Sequence, residues 1–334
     1  MAPVPNPKVV YDGFDRFRFE DSDVIEVDAV ELKDGQTLVH TLSVSLDPFM
    51  ITRMSGTNST FPTYEEGKHR LSLIGKVLHT KSRKFKEGDL LFAFGDFRRY
   101  SILDENDPLR GPITTTVPPV PIAPSVWLGA LGMPGISAYA GWEEFARPKD
   151  GETCFVTSGA GQVGSMAIQL AKQAGLKVIA SAGSDEKLEF MKRCGADSVF
   201  NYKTTSVDDA LKAFGKIDVY WDNVGGETTD ITLNHMNRLG RMILCGAASE
   251  YGAKEHHASK NFHQIHDLCL SVNGFLVSDL AAKYQSKFYE AMVPLVLAGR
   301  IIYEETVYEG LENTTKAFKD LLAGNAIGKV TVKP

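Results

Sequence analysis

Cysteine is scarce. The 334 residues hold four, Cys154, Cys194, Cys245 and Cys269, with no C-x-x-C pair, which argues against a disulfide framework or a cysteine-built zinc site. Long apolar runs are missing too; none approaches the ~18 residues of a membrane helix. The opening Met1-Ala-Pro-Val-Pro-Asn-Pro-Lys8 has no apolar centre, so no secretory signal is expected and a cytoplasmic protein is. Basic charge is not in excess, with 36 Lys and Arg against 42 Asp and Glu. That balance gives no reason to expect a nucleic-acid or membrane partner, and Lys81-Ser-Arg-Lys-Phe-Lys86 reads as a solvated loop. His256, His257, His263 and His266 crowd together but lack a cysteine partner and a fixed second pair, so they read as surface or pocket histidines and no metal is expected.

Glycine, by contrast, is placed with purpose. Cys154-Phe-Val-Thr-Ser-Gly-Ala-Gly-Gln-Val-Gly164 is a short β-branched run that stops at Gly159 and gives way to a helical pattern from Ser165. Strand, G-x-G-x-x-G and helix in that order predict a dinucleotide site. The first glycine permits a tight turn, the second admits a pyrophosphate to the backbone, and the third lets the helix pack on the strand. Gly161, Gln162, Val163 and Gly164 are the candidate phosphate-binding residues. One more absence then selects the dinucleotide. The second strand, Lys177–Ala182, ends in Gly183-Ser184, where an NAD site would carry Asp or Glu. Asp185 and Glu186 fall in the first turn of the next helix, where they complement its dipole. Lys187, one turn in, can reach back to a phosphate, so NADPH/NADP+ is the expected cofactor.

The chain has the length for two domains. From Cys154, strands at Cys154–Ser158, Lys177–Ala182, Ser198–Phe200, Ile217–Asp222, Arg241–Gly246 and Val272–Val277 alternate with predicted helices. Those are Ser165–Ala174, Asp185–Cys194, Ser206–Phe214, Glu227–Met236, Asn261–Cys269 and Leu280–Ala298. Such alternation predicts right-handed crossovers and a doubly wound parallel sheet, an α/β Rossmann fold. Residues 1–125 are β-rich instead, with strands expected at Val24–Val27, Gln36–Val44, Leu73–Leu78 and Asp89–Phe94. Ile301–Val307 and Gly328–Val332 are expected to rejoin them. The expected domains are therefore 1–125 with 300–334, and 126–299.

Several segments together resemble the zinc-independent medium-chain dehydrogenase/reductases, in the branch of leukotriene B4 12-hydroxydehydrogenase, prostaglandin reductase and alkenal double-bond reductase. They are Leu46-Asp-Pro-Phe-Met50, Leu131–Tyr139, the glycine loop, Ala182–Lys187, Phe200-Asn-Tyr-Lys203, Asp222–Glu227, Cys245-Gly-Ala247 and Gly324–Lys329. They are ordered and span nearly the whole chain. The resemblance implies a GroES-like substrate domain beside the Rossmann domain, an enal or enone substrate and a homodimer. It implies that Lys187 and Tyr202 hold the 2′-phosphate. It lines the nicotinamide half with Asn223, Cys245, Gly246, Ala247, Phe275, Leu276, Val277, Asn325 and Met133, and it faces the substrate with Phe49, Met50, Tyr64 and Tyr251. Phe49 departs from a common Tyr, Phe97 from a common Trp, and the Tyr202–Ile217 segment is short.

Bland alternatives stand beside these roles. Gly225-Gly226 serves as a turn, Asp222-Asn223 as a helix cap, Met133-Pro134 as junction packing and Tyr202 as an edge aromatic. Tyr251, just past the fifth strand of the alternating series, is the candidate catalytic residue. Its phenol, protonated at neutral pH, can polarise a carbonyl or give a proton, or it can simply cover the substrate. The activity expected is NADPH-dependent C=C reduction of α,β-unsaturated aldehydes and ketones. The competing readings are an NADPH quinone oxidoreductase and a non-catalytic NADPH-binding protein.

Overall fold

A computed structural model describes residues 2–14, 16–56, 63–65, 70–107, 114–253 and 255–334. The chain forms two compact units, Met1–Leu128 with Glu305–Pro334, and Gly129–Glu304.

The first unit is built on a seven-stranded sheet whose centre is the 11-residue strand Gln36–Leu46. That strand pairs antiparallel with Arg70–Thr80, with Tyr100–Asp104 and with the distant Lys329–Lys333. Glu305–Glu309 continues the sheet beyond Lys329–Lys333. The chain's last residues are thus main-chain hydrogen-bonded to its early ones. The weakly patterned strands Lys8–Tyr11 and Phe17–Glu20 form a separate two-stranded pair. The helices Met50–Ser55 and Thr314–Leu322 were not anticipated from periodicity.

A buried ion pair locks this unit. The Lys329 ammonium, 3% exposed, donates to Asp47 Oδ1 at 2.6 Å and to the Leu46 carbonyl at 2.7 Å. Ser45 Oγ donates to the other Asp47 oxygen at 2.5 Å. Burial pulls the Lys329 pKa down, while Asp47 opposes that by favouring the charged form.

In the second unit, α1 (Met133–Phe145) leads into β1 (Thr153–Val156), α2 (Gln162–Gln173), β2 (Lys177–Ala182), α3 (Asp185–Arg193), β3 (Ser198–Asn201) and α4 (Val207–Phe214). There follow β4 (Ile217–Asp222), α5 (Gly226–Leu233), β5 (Met236–Leu244), α6 (His263–Asp267), β6 (Ser271–Gly274) and α7 (Val277–Leu297). All six strands are parallel, in the order β3-β2-β1-β4-β5-β6. This is the doubly wound order of a dinucleotide fold, and its direction of winding reverses between β1 and β4. Phe155 on β1 stacks on Tyr220 of β4 at 5.3 Å and on Phe200 of β3 at 5.9 Å, so three strands share one aromatic core. Ser206 caps α4 by accepting the Asp209 N–H at 3.1 Å, as its Ser-x-x-Asp pattern predicts.

Several expected elements change. The strand expected at Val24–Val27 is Val24–Ile25 followed by a 3-10 turn at Val27–Ala29, and the one expected at Ile301–Val307 is Glu305–Glu309. The segment Val272–Val277, expected as a strand, is not a single strand: β6 stops at Gly274 and Val277 opens α7. Asn273 and Gly274 interrupt its apolar residues, and the strand stops at that glycine.

Replacing Lys329 by Met should leave the Asp47 carboxylate buried without its counter-ion. Chemical denaturation should show a loss of about 3–5 kcal/mol, and adding Asp47→Leu should recover most of it. Equal stability of the wild type and the single variant would mean that the pair contributes nothing.

Candidate functional site

The sheet's winding reverses beside the loop after β1, and that loop is shaped by steric fit. Ser158, not a glycine, takes the left-handed backbone, with φ 50°. Gly159 is required for another reason: a Cβ there would lie 2.5 Å from Met191 Sδ and 3.0 Å from Ala180 Cβ. At Gly164 a Cβ would come within 2.3 Å of the Ser158 carbonyl oxygen, so only glycine lets α2 close onto the turn. Gly161 caps α2 with an extended backbone. That helix start has neither a side-chain cap nor an acidic residue in its first turn. Its uncompensated N–H groups and dipole are those of an anion site.

Three cationic or hydroxyl groups converge at the end of β2. A Cβ on Gly183 would sit 2.9 Å from Tyr202 Oη and 3.0 Å from Lys203 Cε. Tyr202 is 53% exposed. Lys187 is half-buried, and its pKa is lowered first by burial and then by the Lys203 charge. Two lysines and a phenol thus face the place where an NAD site carries an acid. Lys203 was not singled out from sequence; its only signal was its place directly after Tyr202.

The ends of β1 and β4 are tied together by a polar knot. Asn223 Nδ2 donates to the Thr157 carbonyl at 2.7 Å, its backbone N–H to Thr157 Oγ1 at 2.9 Å, and its Oδ1 accepts from Trp221 Nε1 at 3.2 Å. The Asp222 carboxylate, 1% exposed, accepts from the N–H groups of Val224 and Gly225, each at 2.9 Å, and from Thr157 and Thr229 hydroxyls. The Asn223 side chain is therefore occupied in positioning the glycine loop. Gly225 and Gly226 turn sharply with φ 73° and 59°.

The turn after β5 docks on that knot. Cys245 and Gly246 N–H groups donate to the Asp222 carbonyl at 2.9 and 3.1 Å, and Ala248 N–H to the Asn223 carbonyl at 3.1 Å. Tyr251 folds back over the turn, its Oη 3.2 Å from where a Gly246 Cβ would be. Burial raises the Tyr251 pKa, and the Ala247 N–H partly opposes it, so the phenol keeps its proton. Burial likewise pushes the Cys245 thiol up to about 12, leaving it neutral.

Phe275 packs edge-on against Trp221 at 6.3 Å and leaves no room for a side chain at Gly141. Leu276 caps α7, Val277 begins it, and Met133 is the half-buried first residue of α1. The remaining candidates lie in the β-rich unit. Phe49 is half-buried at the start of its short helix. Met50 has 0% exposure and its sulfur accepts the Asp47 N–H at 3.3 Å, so it is a core residue with no surface to offer a substrate. Tyr64 is 7% exposed beneath the Arg53 guanidinium, 4.1 Å from its ring, and burial pushes its hydroxyl up to about 12. Asn325 is exposed and bound to Asp320 through its backbone N–H at 2.8 Å.

The crowded histidines have separate partners: His256 with Glu250, His257 with Asp230 and His266 with Asp267. Among the described residues no group of three or more His, Cys, Asp or Glu side chains is arranged to hold a metal ion. No helix among them is long and apolar enough to cross a membrane.

A six-stranded doubly wound sheet with a glycine loop at its reversal defines a dinucleotide-fold unit, here joined to a β-rich one. Comparison with known proteins makes the class specific. A family model described as zinc-binding dehydrogenase matches residues 163–298, and one described as N-terminal domain of oxidoreductase matches residues 14–110. The chain is 35% identical to 2-alkenal reductase (NADP(+)-dependent) of Nicotiana tabacum, covering 89% of this chain and 87% of that one. It is 33% identical to prostaglandin reductase 1 of Bos taurus, covering 94% of each. CurA of Vibrio vulnificus, solved in complex with NADPH, superposes with a TM-score of 0.86 at 28% identity over 98% of both chains. The chain belongs to the medium-chain dehydrogenase/reductase family, in the branch of the alkenal and prostaglandin reductases.

Proposed function

We propose that the protein is an NADPH-dependent reductase of the C=C bond of α,β-unsaturated aldehydes and ketones. The observation that carries the cofactor choice is the group at Gly183: Lys187, Lys203 and the Tyr202 hydroxyl, with no acid at the end of β2. An NAD-type carboxylate there would repel a 2′-phosphate, and two ammonium groups attract one. The first-turn amides of α2 fit a pyrophosphate. The substrate class is supported by the 35% identity to the NADP-dependent alkenal reductase.

Bound NADPH would supply the hydride that goes to the substrate's β-carbon. The chain's own residues then have three tasks. Gln162, Val163 and Gly164 present backbone N–H groups to the pyrophosphate, while Gly161, whose own N–H donates to the Ser158 carbonyl at 3.0 Å, lets the phosphates approach the backbone closely. Asn223, Cys245–Ala247, Phe275–Val277 and Met133 shape the nicotinamide end, Asn223 by fixing the loop rather than by a free amide. Tyr251 holds a proton beside the turn after β5. It can donate to the enolate oxygen that develops when the β-carbon is reduced, or protonate the α-carbon. Phe49 and Tyr64 as substrate contacts, and Asn325 as a cofactor contact, rest on resemblance alone.

NADPH oxidation should be screened against enals, enones and quinones with product analysis. Saturated aldehydes or ketones are the expected products; allylic alcohols, or turnover of quinones alone, would sink the proposal. Lys187→Ala should weaken NADPH relative to NADH by about tenfold to a hundredfold, the worth of a charge-assisted contact of roughly 1.5–3 kcal/mol. Lys203→Ala, at an exposed position, should cost roughly two- to fivefold. Unchanged cofactor ratios in titrations would remove both residues from the phosphate site. Tyr251→Phe should lower kcat by roughly 10²–10⁴-fold with KM little changed. Because burial raises its pKa, wild-type activity should hold well into alkaline pH and fall only as the phenol ionises. Wild-type turnover in the Phe variant would reduce Tyr251 to a packing role.

A further inference from the structure

The glycine loop carries a residue whose side chain the fold leaves unsatisfied. Gln162 is the first residue of α2 and only 5% exposed. Its Nε2 and Oε1 are both fully covered, and neither has a hydrogen-bond partner. Among the described residues it is the one side chain with two such atoms. Gln169, seven positions on in the same helix and 6% exposed, shows what a settled buried glutamine looks like. Its Nε2 donates to the Ser165 and Ile302 carbonyls at 3.1 and 2.8 Å, and its Oε1 accepts the Ile302 N–H at 2.8 Å.

A buried carboxamide with both ends idle destabilises the protein that carries it. It calls for a partner offering an acceptor and a donor at once. A phosphate oxygen alone accepts only, whereas the ribose–pyrophosphate segment of a dinucleotide offers phosphate oxygens and ribose hydroxyls side by side. Gln162 also contributes one of the first-turn N–H groups of α2, so its side chain starts from the residue whose backbone faces the anion.

We infer that the Gln162 carboxamide, covered and unpartnered in the empty protein, turns to become a ligand of the bound dinucleotide: its NH2 then donates to a pyrophosphate oxygen and its carbonyl accepts a hydroxyl of the adjoining ribose. This rests on the NADPH reading above and extends it from backbone to side chain. The loop then costs stability in the empty protein and recovers it on binding.

The test compares the wild type with Gln162→Met, an apolar chain of similar length, and Gln162→Glu, which keeps an acceptor and adds a charge. Melting without ligand and fluorescence titrations with NADPH and with adenosine 2′-phosphate are measured for all three. Gln162→Met should melt no lower than wild type without ligand, bind NADPH about tenfold more weakly, and bind adenosine 2′-phosphate, which lacks the pyrophosphate, unchanged. Gln162→Glu should bind NADPH more weakly still, with part of the loss reversed by salt. Wild-type NADPH affinity in either variant would overturn the inference. A Met variant that melts lower would do the same, since the amide's partner would then lie within the protein. So would a parallel loss of adenosine 2′-phosphate. Failure of the wild type itself to bind NADPH would instead strike the cofactor reading and leave the side-chain question behind it.

Discussion

The dinucleotide-fold unit depends on holding two strand ends in register at the point where its sheet reverses. Parallel strands β1 and β4 diverge into different loops there, and their last carbonyls and amides would otherwise go without partners. Thr157, Asp222 and Asn223 close the gap with side chains in place of a ladder. Asp222 then does a second job: its carbonyl accepts the N–H groups of Cys245 and Gly246, which brings the turn after β5 into the same assembly. Three loops, which approach from three strands, are fixed by one buried carboxylate and one amide. Removing either would leave several buried polar groups idle at once, a cost far larger than that of any single hydrogen bond.

That knot changes how the site residues should be read. Asn223 lies at the carboxyl edge of the sheet, where ligands bind, yet both ends of its amide are committed inward. Its effect on a ligand is exerted through the loop it holds. Gln162 is its opposite, with a buried amide committed to nothing. Gln162 is buried and Asn223 half-buried, and neither fact says what the amide binds. Hydrogen-bond accounting does.

The alternation of strand and helix was legible because each element is long and strongly patterned. Ile217–Asp222 and Lys177–Ala182 fall where the β-branched runs place them. Boundaries failed where the pattern is silent. β5 begins at Met236, earlier than the apolar run from Arg241, because Asn237 and Arg238 are polar and a bulge separates the pairs at Ile217 and Val219. The resemblance alone turned Met50 toward the substrate, whereas its thioether accepts a backbone N–H in the core. The glycine loop was recognisable as a motif, whereas the division of labour inside it was not. No sequence rule predicts that Ser158 takes the left-handed backbone and that Gly159 is needed to clear Met191, a residue from the far end of α3.

Lys203 shows the same limit from the electrostatic side. In sequence it is one lysine among many, on an exposed turn past β3. Only the sheet order, which sets β3 beside β2, brings it to Gly183 and within reach of the charge on Lys187. Two like charges held near each other lower the pKa of the more buried one, and that cost is present in the empty protein. A dianion placed between them would reverse the sign of the interaction and gain from both. On the proposed cofactor reading, specificity would come partly from repulsion that exists before binding and is relieved by it. The unsatisfied amide on the glycine loop follows the same logic with hydrogen bonds in place of charge.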